Sequence, residues 1–361
     1  MNFLCDKGAI NAAISQAAKI LPAKAIIPAY EGILIEAEGD ECKLTVSDSK
    51  LTLNICFKAD VKESGNVLVP GKIFIDIIRR CYDGDIEIST DSDMNIKSGN
   101  LNVNIALSVE NYPKLFLEGD KKSFKMDIKE FKDGVHGTVF CAADENYMNP
   151  VYTGVYITKE EDKIKFVSLD GYRVAVKNVS ASGEDATVLV PAKSLDEISK
   201  TFGEEGEVLF TIYNNYIVAV WEDITLISVL LEKEEFSDYK GFLPKSNKTR
   251  IKVERSRLIS SIDRAATISR TKKSNLIVLS IEDGVMSLNA KSDIGEMNDS
   301  LEVYQEGEPI RIGFNSQFLL DSIRSINDES FYIDFDGQVI PCVMKPCEGD
   351  NYLYMILPMQ I

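Results

Sequence analysis

Few side chains in this sequence could carry chemistry, and each candidate lacks the partners that its chemistry needs. There is one histidine, His136. A Ser-His-Asp or His-metal scheme would require a nucleophile or further ligands around it, whereas the helical spacing puts it on a wet face near Lys129 and Asp133. The run Gly65-Asn-Val-Leu-Val-Pro-Gly71-Lys72 has the outline of a phosphate loop. It fails twice, because five residues rather than four separate the glycines and Ile73 stands where a Ser or Thr would hold Mg²⁺. Asp83-Gly-Asp85 and Asp91-Ser-Asp93 lack the spacing of a calcium loop and read as solvated turns. The seven cysteines, from Cys5 to Cys347, form no CxxC pair, so neither a disulfide framework nor a zinc ribbon is expected and a reducing compartment fits. The reading is a non-enzyme without catalytic residues, metal or cofactor.

The elements that would position any site are more informative. The segment Val67-Leu-Val-Pro-Gly-Lys-Ile-Phe-Ile-Asp-Ile-Ile-Arg-Arg, an apolar strand running into a helix, recurs as Val188-Leu-Val-Pro-Ala-Lys-Ser-Leu-Asp-Glu-Ile-Ser-Lys at an offset of 121 residues. A third copy begins at Ile310, with Gly313 standing 122 residues after Pro191. A second element agrees in phase, a strand-like start followed by an amphipathic helix, at 3–20, 124–142 and 251–268. Three copies at one period predict three similar domains, and 361 residues is long for one compact domain. Between the helices lie alternating strand patterns, such as 43–46, 51–55, 151–157 and 276–281, separated by turns at Asp83-Gly84 and Asp283-Gly284. The fold class expected is α+β, each domain packing two helices on antiparallel sheet, with domains at 1–120, 121–246 and 247–361.

Lys plus Arg number 40 and Asp plus Glu 57, a net charge of −17, which if evenly spread would repel nucleic acid. The charge is not evenly spread. The six helical segments with their adjoining basic residues (7–24, 71–82, 127–143, 192–202, 254–273 and 315–326) total +8, so the remainder carries −25. Helical periodicity turns Ile10, Ile14, Ala17 and Leu21 inward and leaves Lys19 outside; it buries Phe74, Ile78 and Cys81 and exposes Lys72 and Arg79. Likewise Leu195 and Ile198 are inward with Lys193 and Lys200 outward, and Leu258, Ile262 and Ala265 inward with Arg257 and Arg264 outward. Basic helices within an acidic shell would suit a symmetric assembly whose helices line one positive surface. No apolar run approaches the roughly 18 residues that span a bilayer, so the chain reads as soluble and not membrane-bound.

Four strings in order then carry a family resemblance over the whole chain. They are Ser168-Leu-Asp170-Gly171-Tyr172-Arg173-Val174-Ala-Val; Phe236-Ser-Asp238-Tyr239 with Leu243-Pro244-Lys245; Ile312-Gly-Phe314-Asn315 with Leu320-Asp321; and the ending Tyr354-Met-Ile-Leu357-Pro358-Met359-Gln-Ile361. Together they resemble the bacterial DNA polymerase III beta subunit, the sliding clamp. The resemblance implies the DNA clamp fold and a head-to-tail homodimer that closes a ring around duplex DNA. Such a ring slides without reading sequence and tethers the replicative polymerase after opening by an ATP-driven clamp loader. It also implies a cytoplasmic, nucleoid-associated location. The alternative is a non-enzymatic three-domain scaffold of the same fold without DNA.

The resemblance further implies a pocket for short hydrophobic motifs of partner proteins. Its first subsite would be Tyr152, Leu169, Gly171, Tyr172, Arg173, Val174, Phe242, Met355 and Leu357, and its second Asn315, Phe318, Val339, Pro341, Pro358 and Met359. Here Tyr172 replaces the family's His, Leu169 a Thr and Ser237 a Pro, and Gly241 stands where some relatives have Arg. Lys24 matches a basic DNA-contacting position and joins the outward basic residues above as DNA-facing, whereas Pro150 and Val151 fall where some members carry DNA-facing tyrosines. At the ring joint, Val103 and Ile105 would face Thr267 and Ile268 of the partner subunit.

Overall fold

The structure, a computed structural model, describes residues 1–233, 236–270 and 275–361. Every α-helix among them follows directly on a strand, in two alternating kinds. Asn2–Asp6, Lys122–Asp127 and Thr249–Glu254 lead into α1 (Lys7–Ile20), α3 (Ile128–His136) and α5 (Arg255–Ser269); Gly65–Pro70, Ala186–Pro191 and Ile310–Asn315 lead into α2 (Gly71–Arg80), α4 (Ala192–Thr201) and α6 (Ser316–Arg324). The switches have local causes. Asp6 accepts a hydrogen bond from the Ala9 amide and Asn315 one from the Gln317 amide, so each satisfies a first-turn N–H that has no intrahelical partner. Between Gly65 and Lys72 the chain is a strand passing into α2, not a loop that could wrap a phosphate.

The chain packs as two compact units, residues 1–128 with 197–230 and residues 129–196 with 231–361. These do not coincide with the three repeats, because each large sheet draws strands from two of them. In the first unit Ile224–Val229, late in the second repeat, pairs antiparallel with Leu51–Lys58 of the first, Leu226 opposite Leu53. In the second unit Tyr352–Ile356, at the end of the third repeat, pairs with Arg173–Ser180 of the second, Tyr354 opposite Ala175. All strand pairing described is antiparallel, as alternating patterns with short connections require. In the first unit α1 buries Ile10, Ile14 and Ala17 and α2 buries Phe74 and Ile78; in the second α5 and α6 place Leu258, Ile262, Leu319 and Ile323 in one core with Ile277, Leu279 and Ile333. Full burial of such side chains stabilises by roughly 1.5–3 kcal/mol each.

Two details depart from the expectation. Of the strand pattern at 151–157 only Gly154 onward is strand: Pro150–Thr153 forms a 3₁₀ turn, begun by a proline that cannot donate and capped by Asn149. In the third repeat Asn315, not Gly313, holds the last strand position occupied by Pro70 and Pro191, so the sequence phase there slips by two residues. Gly313 is glycine for another reason, since a Cβ there would come within 2.9 Å of the Met359 carbonyl oxygen. In the first unit Trp221, the only tryptophan, lies against Phe202 with ring centres 5.8 Å apart and donates from Nε1 to the Glu205 carbonyl at 3.0 Å.

Candidate functional site

The turn Asp170–Tyr172 joins two strands of the second unit and organises what surrounds it. Asp170 accepts from the Tyr172 and Arg173 amides at 2.9 and 3.0 Å, and Gly171 takes a φ of +89°, a conformation costly for any side chain with a Cβ. Arg173 is 8 % exposed, and each nitrogen of its guanidinium donates: Nε to Asp170 (2.9 Å), Nη1 to Asp321 (2.8 Å), Nη2 to the Phe140 carbonyl (2.8 Å), with the Phe318 ring 4.3 Å away. Held from three sides, it positions the turn against Asp321 and the Phe140 backbone. The chain terminus is laid across the same place, the Leu357 amide donating to the Tyr172 carbonyl and the Met359 amide to the Gly313 carbonyl, each at 2.8 Å.

Beside this turn lies an apolar cluster of Val167, Leu169, Val174, Val176 and Met355, with Tyr152 packed against its margin. Four residues expected in the first subsite are thus brought together: Tyr152, Leu169, Val174 and Met355. Tyr172 (60 % exposed) and Leu357 (37 %) stand at the rim, and Tyr172 meets Phe318 of the second subsite with ring centres 6.1 Å apart. Pro341, Pro358 and Met359 are half-buried, and the Asn315 side chain is occupied in capping α6. Phe242 and Val339, 52 % and 87 % exposed, do not pack into the cluster; Leu243, the next residue after Phe242, does. The sequence reasoning also missed Tyr156 and Phe236, stacked at 4.7 Å, and Tyr239. Their signal in the sequence is the aromatic pair within Phe236-Ser-Asp-Tyr239.

The basic residues expected to face DNA are all exposed: Lys19, Lys72, Arg79, Lys193, Lys200, Arg257 and Arg264 on helices, and Lys24 in the loop after α1. Acids of the same chain hold Lys193 through Glu145 (3.1 Å), Arg257 through Glu254 (3.2 Å) and Arg264 through Asp299. The hydrogen bonds from Arg264 and Ser261 hold the Asp299 carboxyl below the usual carboxylate range. Lys272 and Lys273, counted in the charge of the fifth segment, lie outside the described residues.

Of the residues expected at the joint, Ile105 is 6 % exposed and points into its own unit, while Val103 is half-buried; what Leu101–Ala106 presents is a backbone edge, paired on one side only. Thr267 is exposed and Ile268 packs on the core of the second unit. His136 is exposed at the end of α3. Burial pushes the Cys5, Cys42 and Cys342 thiols up to about 12, far from a nucleophile's range. Among the described residues no three His, Cys, Asp or Glu side chains gather to hold a metal, and no helix is long and apolar enough to cross a membrane.

Repeated strand-to-helix units sharing continuous antiparallel sheets, with basic outer helix faces, define the class of clamp-domain proteins. The comparisons agree along the chain. Family models described as the N-terminal, central and C-terminal domains of the DNA polymerase III beta subunit match residues 1–116, 125–237 and 240–360. The beta sliding clamp of Halalkalibacterium halodurans is 27 % identical over 380 residues, covering all of both chains, and that of Staphylococcus aureus 26 % over 376 residues, covering all of this chain and 99 % of that one. The DNA polymerase sliding clamp from Bacillus subtilis, 22 % identical, has a TM-score of 0.96 over 100 % of this chain and 99 % of that one. The chain belongs to the DNA polymerase III beta subunit family, and its three α+β repeats are clamp domains.

Proposed function

We propose that this chain is a processivity clamp: a homodimer that closes around duplex DNA, slides without reading sequence, and tethers the replicative polymerase. It hydrolyses nothing, and an ATP-driven clamp loader opens it. The domains that build the ring are taken as 1–120, 121–246 and 247–361, acting at the nucleoid in the cytoplasm. The observation that carries this reading is the separation of charge. In a chain of net charge −17, exposed Lys and Arg recur on helices of all three repeats, which suits phosphate contacts that position without specifying. Threading makes a weak polymerase contact sufficient, because confinement raises the local concentration of primer ends to about the millimolar range.

Partners enter, in this reading, through the apolar cluster beside Asp170–Tyr172. A linear motif there would bury Leu and Phe side chains against Leu169, Val174 and Met355, each worth roughly 1.5–3 kcal/mol before ordering costs. The test of the ring is retention. After loading, nicked circular DNA should keep the protein through gel filtration while the same DNA, linearised, should lose it from its free ends. Equal retention on both would leave only the scaffold alternative.

A further inference from the structure

The two sheet joints that link repeats within the chain follow one rule. The third strand described after the first helix of a repeat pairs with the third strand after the second helix of the next: Leu51–Lys58 with Ile224–Val229, and Arg173–Ser180 with Tyr352–Ile356. One strand of each kind is left without its complement, Gly295–Glu302 in the third repeat and Leu101–Ala106 in the first. Both are sheet edges, paired on one side only among the described residues. A second copy of the chain supplies the missing complement of each edge. The joints within the chain also set the register. Counted from the two-residue turns at 39–40, 161–162 and 283–284, Leu53, Ala175 and Met297 hold one place. Counted from the turns at 99–100 and 222–223, Val103 holds the place of Leu226. Leu226 opposite Leu53, and Tyr354 opposite Ala175, therefore carry over as Val103 opposite the partner's Met297, with Asn102 opposite the partner's Asn298 and Asn104 opposite the partner's Glu296. Val103 and Met297 are only half-buried in the single chain, at places where all four residues of the existing joints are buried.

On the other face of the two edges the polar side chains are already oriented to meet. Asn95 donates from Nδ2 to the Oδ1 atoms of Asn102 and Asn104 at 2.6 and 2.7 Å, so both exposed edge amides accept from within and keep their NH₂ groups to donate outward. At the other edge Asn289 donates to the Asn298 Oδ1 at 2.7 Å and to Glu296 at 2.9 Å, which leaves a second lone pair on the Asn298 oxygen and the rest of the Glu296 carboxylate to accept. One edge thus carries a row of donors and the other a row of acceptors. Like edges do not fit each other. Two copies of Gly295–Glu302, which bears Glu296, Asp299 and Glu302 and no base, would set carboxylate against carboxylate, and two copies of Leu101–Ala106 would set donor against donor. We propose that this amide ladder selects the partner edge: Asn102 and Asn104 donate to the partner's Asn298 and the partner's Glu296, and Val103 packs on the partner's Met297, which fixes head-to-tail pairing and its register. The choice of a second copy rests on the dimer of the preceding reading; the ladder and the register come from the strands themselves.

The test is cross-linking between full chains, since directly opposed antiparallel residues stand about 4.5–5.5 Å apart at Cα, within the range of a disulfide. Chains carrying Asn102→Cys are mixed with chains carrying Asn298→Cys, left to exchange, and oxidised. A non-reducing gel should show linked pairs of chains at least about tenfold above either variant alone, and above Asn102→Cys mixed with Met297→Cys, whose thiols the register sets on opposite faces. Asn104→Asp places a carboxylate against the partner's Glu296 and should weaken the dimer at least about tenfold in sedimentation, with circular dichroism unchanged. Adding Glu296→Gln to Asn104→Asp should restore most of that affinity. A parent protein that sediments as a monomer would overturn the dimer reading and this inference together. In a dimeric parent, no link between Asn102→Cys and Asn298→Cys chains, an equal yield with Met297→Cys, or an Asn104→Asp dimer that Glu296→Gln leaves weak would overturn the ladder alone.

Discussion

At Arg173 one cation answers two carboxylates and a carbonyl inside the second unit, and its value lies in what its loss would strand. Asp170 and Asp321 are 12 % and 24 % exposed and would be left facing each other's charge. Breaking a buried pair on one side costs about 3–5 kcal/mol, so Arg173→Ala should lower stability by about 3 kcal/mol, and the further change Asp321→Asn should return part of it. Urea denaturation of the two variants checks this; a loss below about 1 kcal/mol would show that the network is dispensable. Asp334 gives a pH signature. Burial works to raise its pKa, but hydrogen bonds from Arg250 and Lys345 more than reverse this and hold it below 3.8. A carboxylate depressed in the folded state contributes stability that is present above its unfolded value and is lost as pH falls through the folded one. Melting temperature should therefore drop below about pH 4, and Asp334→Asn should be less stable at neutral pH with a shallower acid limb. Parallel curves for the two proteins from neutral pH to pH 2 would contradict the assignment.

Among the elements, the terminal segment after Ile356 carries most of the proposed recruitment of partners. It is held by two backbone hydrogen bonds and contributes rim residues to both expected subsites. Deleting Leu357 to Ile361 should weaken binding of a fluorescent Gln-Leu-x-Leu-Phe peptide by at least about two orders of magnitude, the equivalent of about 3 kcal/mol at 1.4 per tenfold. Leu357→Ala and Met359→Ala should each lose part of that, with circular dichroism unchanged. Unaltered affinity in folded variants would send partner recruitment elsewhere on the molecule. The helices were legible from sequence because a strand-to-helix junction is local: the 3.6-residue apolar spacing of Ile10, Ile14 and Ala17, or of Leu258, Ile262 and Ala265, predicts what is buried. Sheet partnership was not, because nothing local links Leu226 to Leu53 or Tyr354 to Ala175, and so the division into units that cut across the repeats was invisible. At the site, the turn residues and the aliphatic floor were readable through the family strings. Arg173's partners and the substitution of Leu243 for Phe242 in the packing depend on where remote segments meet.

Viewed as a whole, the molecule makes separable predictions about DNA and about self-association. Lys72→Ala with Arg79→Ala removes two exposed cations and should lower the salt slope of residual DNA binding by about 1.8, at 0.9 per phosphate contact. Arg257→Ala with Arg264→Ala should lower it by less, since both cations are answered by acids in the free protein. Filter binding across a salt series measures both, and a larger change for the second pair would reverse the assignment. For the proposed joint, Thr267→Arg is a cleaner probe than Ile268→Lys, because Thr267 is exposed and Ile268 supports the core. Sedimentation should show a dimer for the parent and monomers for Thr267→Arg at low micromolar concentration; an unchanged dimer would move the joint. Trp221 sets how such experiments must be observed. As the chain's sole indole it lies in the first unit, so its emission reports the surroundings of Phe202 and Glu205 there directly. Fluorescence and circular dichroism transitions that fail to superimpose would then time the loss of one half against the other, turning a single aromatic ring into an optical label that nature has already attached.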